Sequence, residues 1–214
     1  MGTYYLIRHG ETKANQGGII QGHMDVPLAE IGKKEAELVG KALSVIRLDA
    51  VYSSDLSRAR ETAQAIVRYQ KCKLILDSRL RELHCGEMQG LTLAASRERF
   101  PEFFQAFQRD PLRTKRPGGE SLLDLYERSC RALEEIYRNY PEGNVAIVSH
   151  GGVIKCLMAY AAGQEVDPAS PVVANASISV ISRDDKGWHV LKVNDVEHLR
   201  PVMEAEELEE SAPS

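Results

Sequence analysis

Short apolar runs alternate along this chain with longer stretches in which apolar residues recur every three or four positions. The runs 4–7 (YYLI), 50–53 (AVYS), 73–76 (KLIL) and 145–149 (VAIVS) have the length and composition of buried strands. Two further runs, 178–182 (ISVIS) and 188–193 (WHVLKV), flank Asp184-Asp185-Lys186-Gly187 and predict a hairpin. Helical spacing is found over 31–47, 56–70, 121–139 and 151–161. In the third of these, Leu122, Leu125, Tyr126, Leu133, Ile136 and Tyr137 share one face, and Ser121 stands at the N-cap position. Strands that alternate with helices predict an α/β fold of three layers, α/β/α, with a mostly parallel sheet.

Residues 84–120 break the alternation, adding 37 residues without a sheet strand and ending in the breaker run Pro117-Gly118-Gly119. They are expected to form a small, mainly helical insertion over the C-terminal ends of the strands, inside one domain spanning 1–202. All four phenylalanines, Phe100, Phe103, Phe104 and Phe107, fall here at helical spacing. The preferred reading is that this stripe packs the insertion onto the body; the other is that it lines a substrate pocket. Six bases (Arg97, Arg99, Arg109, Arg113, Lys115, Arg116) against three acids (Glu98, Glu102, Asp110) give the segment a local attraction for anions.

Charge changes the picture little. The formal net charge of -4 comes from the segment 203–214, which holds five glutamates and no base and is expected to be a disordered, solvated tail. The rest is nearly neutral and has no interleaved basic and aromatic stripe, which argues against a nucleic-acid partner. No apolar run reaches the roughly 18 residues of a membrane span, and no signal peptide is evident, so neither a membrane partner nor export is expected and the cytoplasm is the expected location. Met1-Gly2 begins like a myristoylation signal, but Leu6 stands where Ser or Thr is wanted. Cys72, Cys85, Cys130 and Cys156 show neither a CxxC pair nor metal-ligand spacing and read as reduced packing residues. One chain gives no view of oligomeric state; a homodimer is compatible with it.

The candidate chemistry lies where strands end. His9-Gly10 follows the first strand and His150-Gly151-Gly152 follows VAIVS, in each case just where a parallel sheet presents its ligand crevice. Glycine lets backbone approach a ligand, and helix N-termini favour anions. Arg8 precedes His9, and Arg58, three residues beyond Ser53-Ser54-Asp55, enters the next helix at the same sheet edge. Two arginine forks beside two imidazoles suit a phosphoryl group, which accepts charge-assisted, often bidentate bonds. Arg60 is expected to point elsewhere. His23, His84, His189 and His198 lack this context and read as ordinary loop or surface residues, and Glu11 and Thr12 as groups that orient the first loop.

Six stretches in order, LIRHGETKAN (6–15), QGHMDVPLAEIG (21–32), VYSSDLSRARETA (51–63), LRELHCGEMQG (80–90), PGGES (117–121) and VSHGG (148–152), resemble the histidine phosphatase superfamily, in the branch that includes the phosphoglycerate mutases. The resemblance covers about nine-tenths of the chain. It implies that His9 is a nucleophile forming a phosphohistidine and that Arg8, Arg58 and His150 bind the transferring phosphoryl group with help from Asn15. It implies further that Glu82 is the proton donor, that Gln21 and Gly22 lie near the pocket and that Gly151 offers a backbone N–H. No metal and no cofactor is implied. Cys85 stands where phenylalanine often precedes the glycine, and Met88-Gln89 where Trp-Glu is frequent; both differences bear on packing beside Glu82.

These residue types suit the reaction. A neutral imidazole can attack phosphorus, and the two arginines keep His9 unprotonated while compensating the charge on the equatorial oxygens. A protonated Glu82, favoured by phosphate beside it, gives its proton to the leaving alkoxide and as carboxylate activates water. A phosphohistidine can pass its phosphate to water or to a second hydroxyl. The short insertion resembles that of the small bacterial phosphatases of the family, such as α-ribazole phosphatases and broad-specificity phosphatases, so hydrolysis of a small phosphomonoester is expected. α-Ribazole 5'-phosphate suits an apolar insertion. Phosphoglycerate mutase is the alternative, and a non-catalytic phosphate-binding module is the alternative from another class.

Overall fold

In the computed structural model, which describes residues 1–202 and 204, six strands form one sheet. The expectation for the acidic tail lies, apart from Glu204, outside the described residues. In chain order the strands are β1 (Gly2–Arg8), β2 (Ala50–Ser53), β3 (Lys73–Leu76), β4 (Asn144–Ser149), β5 (Ile178–Asp184) and β6 (Gly187–Asp195). Their order across the sheet is β3-β2-β4-β1-β5-β6. The pairs β3–β2, β2–β4 and β4–β1 are parallel, and β5 runs antiparallel to both its neighbours, β5 and β6 forming the expected hairpin.

The helices are α1 (Lys13–Gln16), α2 (Glu30–Leu43), α3 (Ser57–Val67), α4 (Leu93–Arg99), α5 (Pro101–Arg109), α6 (Leu122–Asn139) and α7 (Gly151–Ala161). Alternate strand residues serve opposite faces. Tyr4, Leu6, Tyr52, Val145, Ile147 and Ile181 pack with Leu125, Leu133 and Ile136 of α6 and Ile154 and Leu157 of α7. Ile7, Val51, Ala146, Val148 and Ile178 face the other way, against Val39 and Leu43 of α2 and Ala59, Ala63 and Ile66 of α3. Both faces of the sheet are therefore covered, as the unbroken apolar runs require. Ser121 caps α6 as expected, in a reciprocal pair with Asp124.

Two helices end earlier than their periodicity predicts. α2 stops at Leu43, where Ser44 Oγ donates to the Lys41 carbonyl, and Gln70 Nε2 donates to the carbonyls of Leu43 and Ile46. Side-chain donors from outside thus replace the next helical turn. All four cysteines are free thiols. Among the described residues no helix is long and apolar enough to cross a membrane.

The phenylalanine stripe departs from its preferred reading. α5 carries Phe103, Phe104 and Phe107, while Phe100 sits at the junction with α4 at φ −126°. None of the four rings belongs to either large hydrophobic cluster. They meet each other and the local arginines instead: Phe103 lies 5.0 Å from Phe104 and 5.6 Å from Phe107, between ring centroids. The Arg116 guanidinium lies 5.8 Å from the Phe103 ring and 5.4 Å from that of Phe107, with Arg97 over Phe104 and Arg99 over Phe100. Cation–π contact thus occupies three of the six bases.

Candidate active site

Parallel strands place their C-terminal ends at one edge, and register decides which ends meet. Arg8 is paired with Ser149, and Ser53 with Val148, so the residues that follow, His9, His150 and Ser54, converge. The His9 amide donates to the Ser149 carbonyl at 3.0 Å, and the two imidazole rings meet edge-on with centroids 5.1 Å apart. Both rings are buried, His9 at 3% exposure and His150 at 0%.

His9 Nδ1 is 2.7 Å from the carbonyl oxygen of Gly10. A carbonyl can only accept, so Nδ1 carries the hydrogen and Nε2 keeps its lone pair. Burial, then the charges of Arg58 and Arg8, hold His9 well below the ordinary histidine pKa, and the imidazole is neutral. Gly10 is fixed in turn: its amide donates to Thr62 Oγ1, and a Cβ there would meet the Gly32 carbonyl at 2.4 Å. Burial, Arg58 and His9 also hold His150 well below its ordinary value; its Nε2 is 2.9 Å from Ser54 Oγ.

Arg58 is 1% exposed. Nη1 donates to the Met24 carbonyl and Nη2 to that of Gly22, both at 2.8 Å, and Gly22 adopts φ +50° to present its oxygen. Burial lowers Arg58 to about 10, with Glu82 opposing, so it stays cationic at neutral pH. Arg8 Nη1 donates to the Val173 carbonyl. What remains unpaired is informative. Among the described residues the buried side-chain polar atoms without a partner include Arg8 Nε, Arg58 Nε, His150 Nδ1, Gln21 Oε1 and Arg116 Nη1. Each such group costs about 1–3 kcal/mol, more when charged, so the unpartnered donors of Arg8 and Arg58 beside His9 fit a site completed by an anion, while Gln21 Oε1 needs a donor instead.

Glu82 accepts from the backbone through both carboxylate oxygens, Oε1 from Leu83 N at 2.8 Å and Oε2 from Gly152 N at 3.1 Å. A Cβ at 152 would meet Glu82 Oε1 at 2.3 Å, so any larger residue there would push the carboxylate from its place. Arg8, His9, Asn15, Gln21, Gly22 and Glu82 line one cavity of about 380 Å³, and Arg58 and His150, both buried, are not among its lining residues. Asn15 Oδ1 accepts from Thr12 N and Thr12 Oγ1, which leaves its amide hydrogens for the cavity. Gly151 opens α7 beside Arg8, but the cavity wall holds Gly152, not Gly151. Arg60 is exposed, as expected.

Sequence reasoning missed several members. Arg116 and Lys155 line the cavity, and Asn175 Nδ2 donates to the His9 carbonyl; Phe107 lines it too, in line with the second reading of the phenylalanine stripe. Arg116 was visible only as one base in a basic segment. His23 is no ordinary loop residue: its Nε2 donates to the main-chain oxygen of Glu82 at 2.7 Å, and its ring meets that of His84 at 4.7 Å. Its place directly after Gln21-Gly22 was the one signal that could have found it.

The two neutral imidazoles make stability depend on pH. Unfolded histidines bind protons below about pH 6.5 and these two, while folded, do not, so stability is full above that pH and falls below it. Each contributes a loss of up to about 1.4 kcal/mol per pH unit. Thermal midpoints between pH 7 and 5 are expected to fall more steeply for the wild type than for a His9→Gln/His150→Gln variant. Parallel curves would mean that the imidazoles are protonated in the fold.

Comparison with known proteins adds the family context. A family model described as the histidine phosphatase superfamily (branch 1) matches residues 4–196. Two Arabidopsis thaliana proteins are similar over nearly the whole chain. Phosphoglycerate mutase-like protein 4 is 38% identical over 91% of this chain and 85% of its own length. The metal-independent phosphoserine phosphatase is 37% identical over 92% and 83%. Among solved structures, Bacillus stearothermophilus YhfR superposes with a TM-score of 0.86 at 35% identity, covering 93% of this chain and 100% of that one. A putative alpha-ribazole-5'-P phosphatase from Escherichia coli gives 0.83 at 25% identity, covering 90% and 96%.

Proposed function

The chain belongs to the histidine phosphatase superfamily, branch 1, and is a phosphatase, and from that membership we propose that it hydrolyses a small phosphomonoester through a phosphohistidine on His9, without a metal. The observation that carries this reading is the set of unpartnered buried nitrogens of Arg8, Arg58 and His150 beside an imidazole whose Nε2 holds its lone pair.

His9 Nε2 attacks phosphorus; the P–N bond forms as the P–O bond to the leaving group breaks. Arg8, Arg58, His150 and Asn15 hold the equatorial oxygens, where charge is compensated at no cost of reorganisation because carbonyls already fix Arg58. Glu82, protonated in the substrate complex, gives its proton to the departing oxygen. As carboxylate it then takes a proton from water, whose oxygen attacks phosphorus and releases His9. The catalytic set is thus His9, Glu82, Arg8, Arg58 and His150, with Gln21 and Gly22 at the phosphate-binding end.

Two observations bear on the rest of the substrate. Ile19, Ile20, Leu83, Phe107 and Val166 make much of the cavity wall apolar, which supports an α-ribazole-like substrate. Arg116 Nη1, buried in the same cavity without a partner, supports a substrate with a carboxylate, such as phosphoserine. A lost charge-assisted bond is worth about 1.5–3 kcal/mol, so Arg116→Met is expected to lower kcat/KM for phosphoserine roughly 10–100-fold. Esters with an uncharged remainder should change less than about 3-fold, the size of an ordinary packing change of 0.6 kcal/mol or so.

The test is phosphate release, with a metal chelator present, from a panel that includes α-ribazole 5'-phosphate, phosphoserine and 3-phosphoglycerate. Release that persists in chelator and ranks the panel supports the reading and names the substrate class. Chelator sensitivity would remove metal independence, and transfer to a second hydroxyl of phosphoglycerate instead of water would make the enzyme a mutase.

A further inference from the structure

Glu82 lies in a stretch with little regular structure: a 3₁₀ turn, Ser78–Leu80, ends just before it, and Arg81 is extended at φ −61°, ψ 152°. Carbonyls in such a segment have no ladder to join and need donors from elsewhere. One side chain supplies most of them. Arg128, on α6 and only 14% exposed, donates Nη1 to the carbonyls of Arg79 and Arg81 and Nη2 to that of Glu82, each at 2.7 Å.

The guanidinium is itself held by Glu120. Arg128 Nε donates to Glu120 Oε1 at 2.8 Å and Nη2 to Oε2 at 2.9 Å, while Glu120 Oε2 also accepts from His84 N and Glu120 N donates to the His84 carbonyl. Ser149 Oγ takes the Leu80 carbonyl, and His23 Nε2 the second bond to the Glu82 carbonyl. Four consecutive carbonyls, 79 to 82, are therefore pinned from α6, β4 and the His23 loop. The Glu82 carboxylate, on the far side of the same residue, is set against Leu83 N and Gly152 N. Glu82 is fixed at both ends.

We propose that Arg128, locked by Glu120, is a positioning residue that aims the Glu82 carboxyl at the leaving-group oxygen. The inference rests on the proton-donor role of Glu82 proposed above. Lysine at 128 keeps the charge but cannot reach three carbonyls and a carboxylate with a planar fork, and a misplacement of about 1 Å at a reacting group can cost 10²-fold.

A general acid matters in proportion to the basicity of the leaving group, which separates aiming from a merely structural role. The substrates are the alkyl phosphate that the wild type hydrolyses fastest and dinitrophenyl phosphate, whose leaving group needs no proton. The readout is kcat/KM, which reports formation of the phosphohistidine. Arg128→Lys is expected to lower the alkyl value about 10–100-fold and the dinitrophenyl value less than about 3-fold. Glu120→Gln, which loosens the lock without touching the carbonyls, should give the same split in milder form and serves if Arg128→Lys does not fold. Glu82→Gln is the reference, and adding Arg128→Lys to it should cost little more. Equal losses on both esters, no loss, or full additivity with Glu82→Gln would overturn the proposal. If Glu82→Gln itself shows no split, the proton-donor role falls and the inference falls with it; if only the Arg128 and Glu120 variants lack the split, Glu82 stands and the aiming role alone is lost.

Discussion

Alanine in place of His9 is expected to lower phosphate release by roughly 10⁴–10⁶-fold, the scale on which loss of a covalent nucleophile is felt when the rest of the site stands. Nothing nearby can replace it. His150 is the other imidazole in the cluster, but its Nε2 is engaged with Ser54 Oγ, and its ring is fully buried and does not line the cavity. Phosphate affinity should survive in the variant, because the donors of Arg8, Arg58 and His150 remain. Two measurements check this together: turnover on the best panel substrate, and inorganic phosphate binding by calorimetry. Acid-labile label on the wild type after a quench with radiolabelled substrate, absent from the variant, would tie the loss to a phosphohistidine. Turnover within about 10-fold of wild type would end the nucleophile assignment.

Methionine in place of Arg58 carries the second large effect. The guanidinium is buried with two of its nitrogens spent on the carbonyls of Met24 and Gly22, so its Nε–H is held ready before substrate arrives. Removing one such preorganised donor typically costs about 10²–10³-fold in kcat. A second consequence has a definite sign. Arg58 is the larger of the two charges that lower the pKa of His9, so its removal lets that pKa rise and moves the acid limb of the kcat/KM profile to higher pH. A pH profile of wild type and variant on one substrate reads both. A loss of rate with an unmoved acid limb would mean that Arg58 holds phosphate without tuning His9.

The order of elements was legible because the apolar runs report burial directly. A strand such as VAIVS, with four apolar residues in a row before Ser149, must be covered on both faces, and that demand yields a parallel sheet between two helical layers. The placement of Arg8, His9, Arg58 and His150 followed from the same logic, since parallel strands put their ends together. Less legible was whatever depends on one side chain meeting a distant backbone. Arg128 looks like any charged residue on an amphipathic helix, and its partners lie 46 to 49 positions away in carbonyl groups that have no sequence signature. The phenylalanine spacing likewise revealed a stripe but not its neighbours, which are local arginines and the other rings of the stripe.

Sequence by itself determined the layers, the strand ends that carry the two histidines, and the residue types able to hold a phosphoryl group, because periodicity and local spacing encode burial and direction. Tertiary structure alone decided the His9 tautomer, the buried nitrogens left unpaired near that ring, the two-sided grip on Glu82 and the entry of Arg116 into the cavity. Each of these depends on which atoms remain unsatisfied after the chain has folded, and hydrogen-bond satisfaction is settled by contacts between segments far apart in sequence.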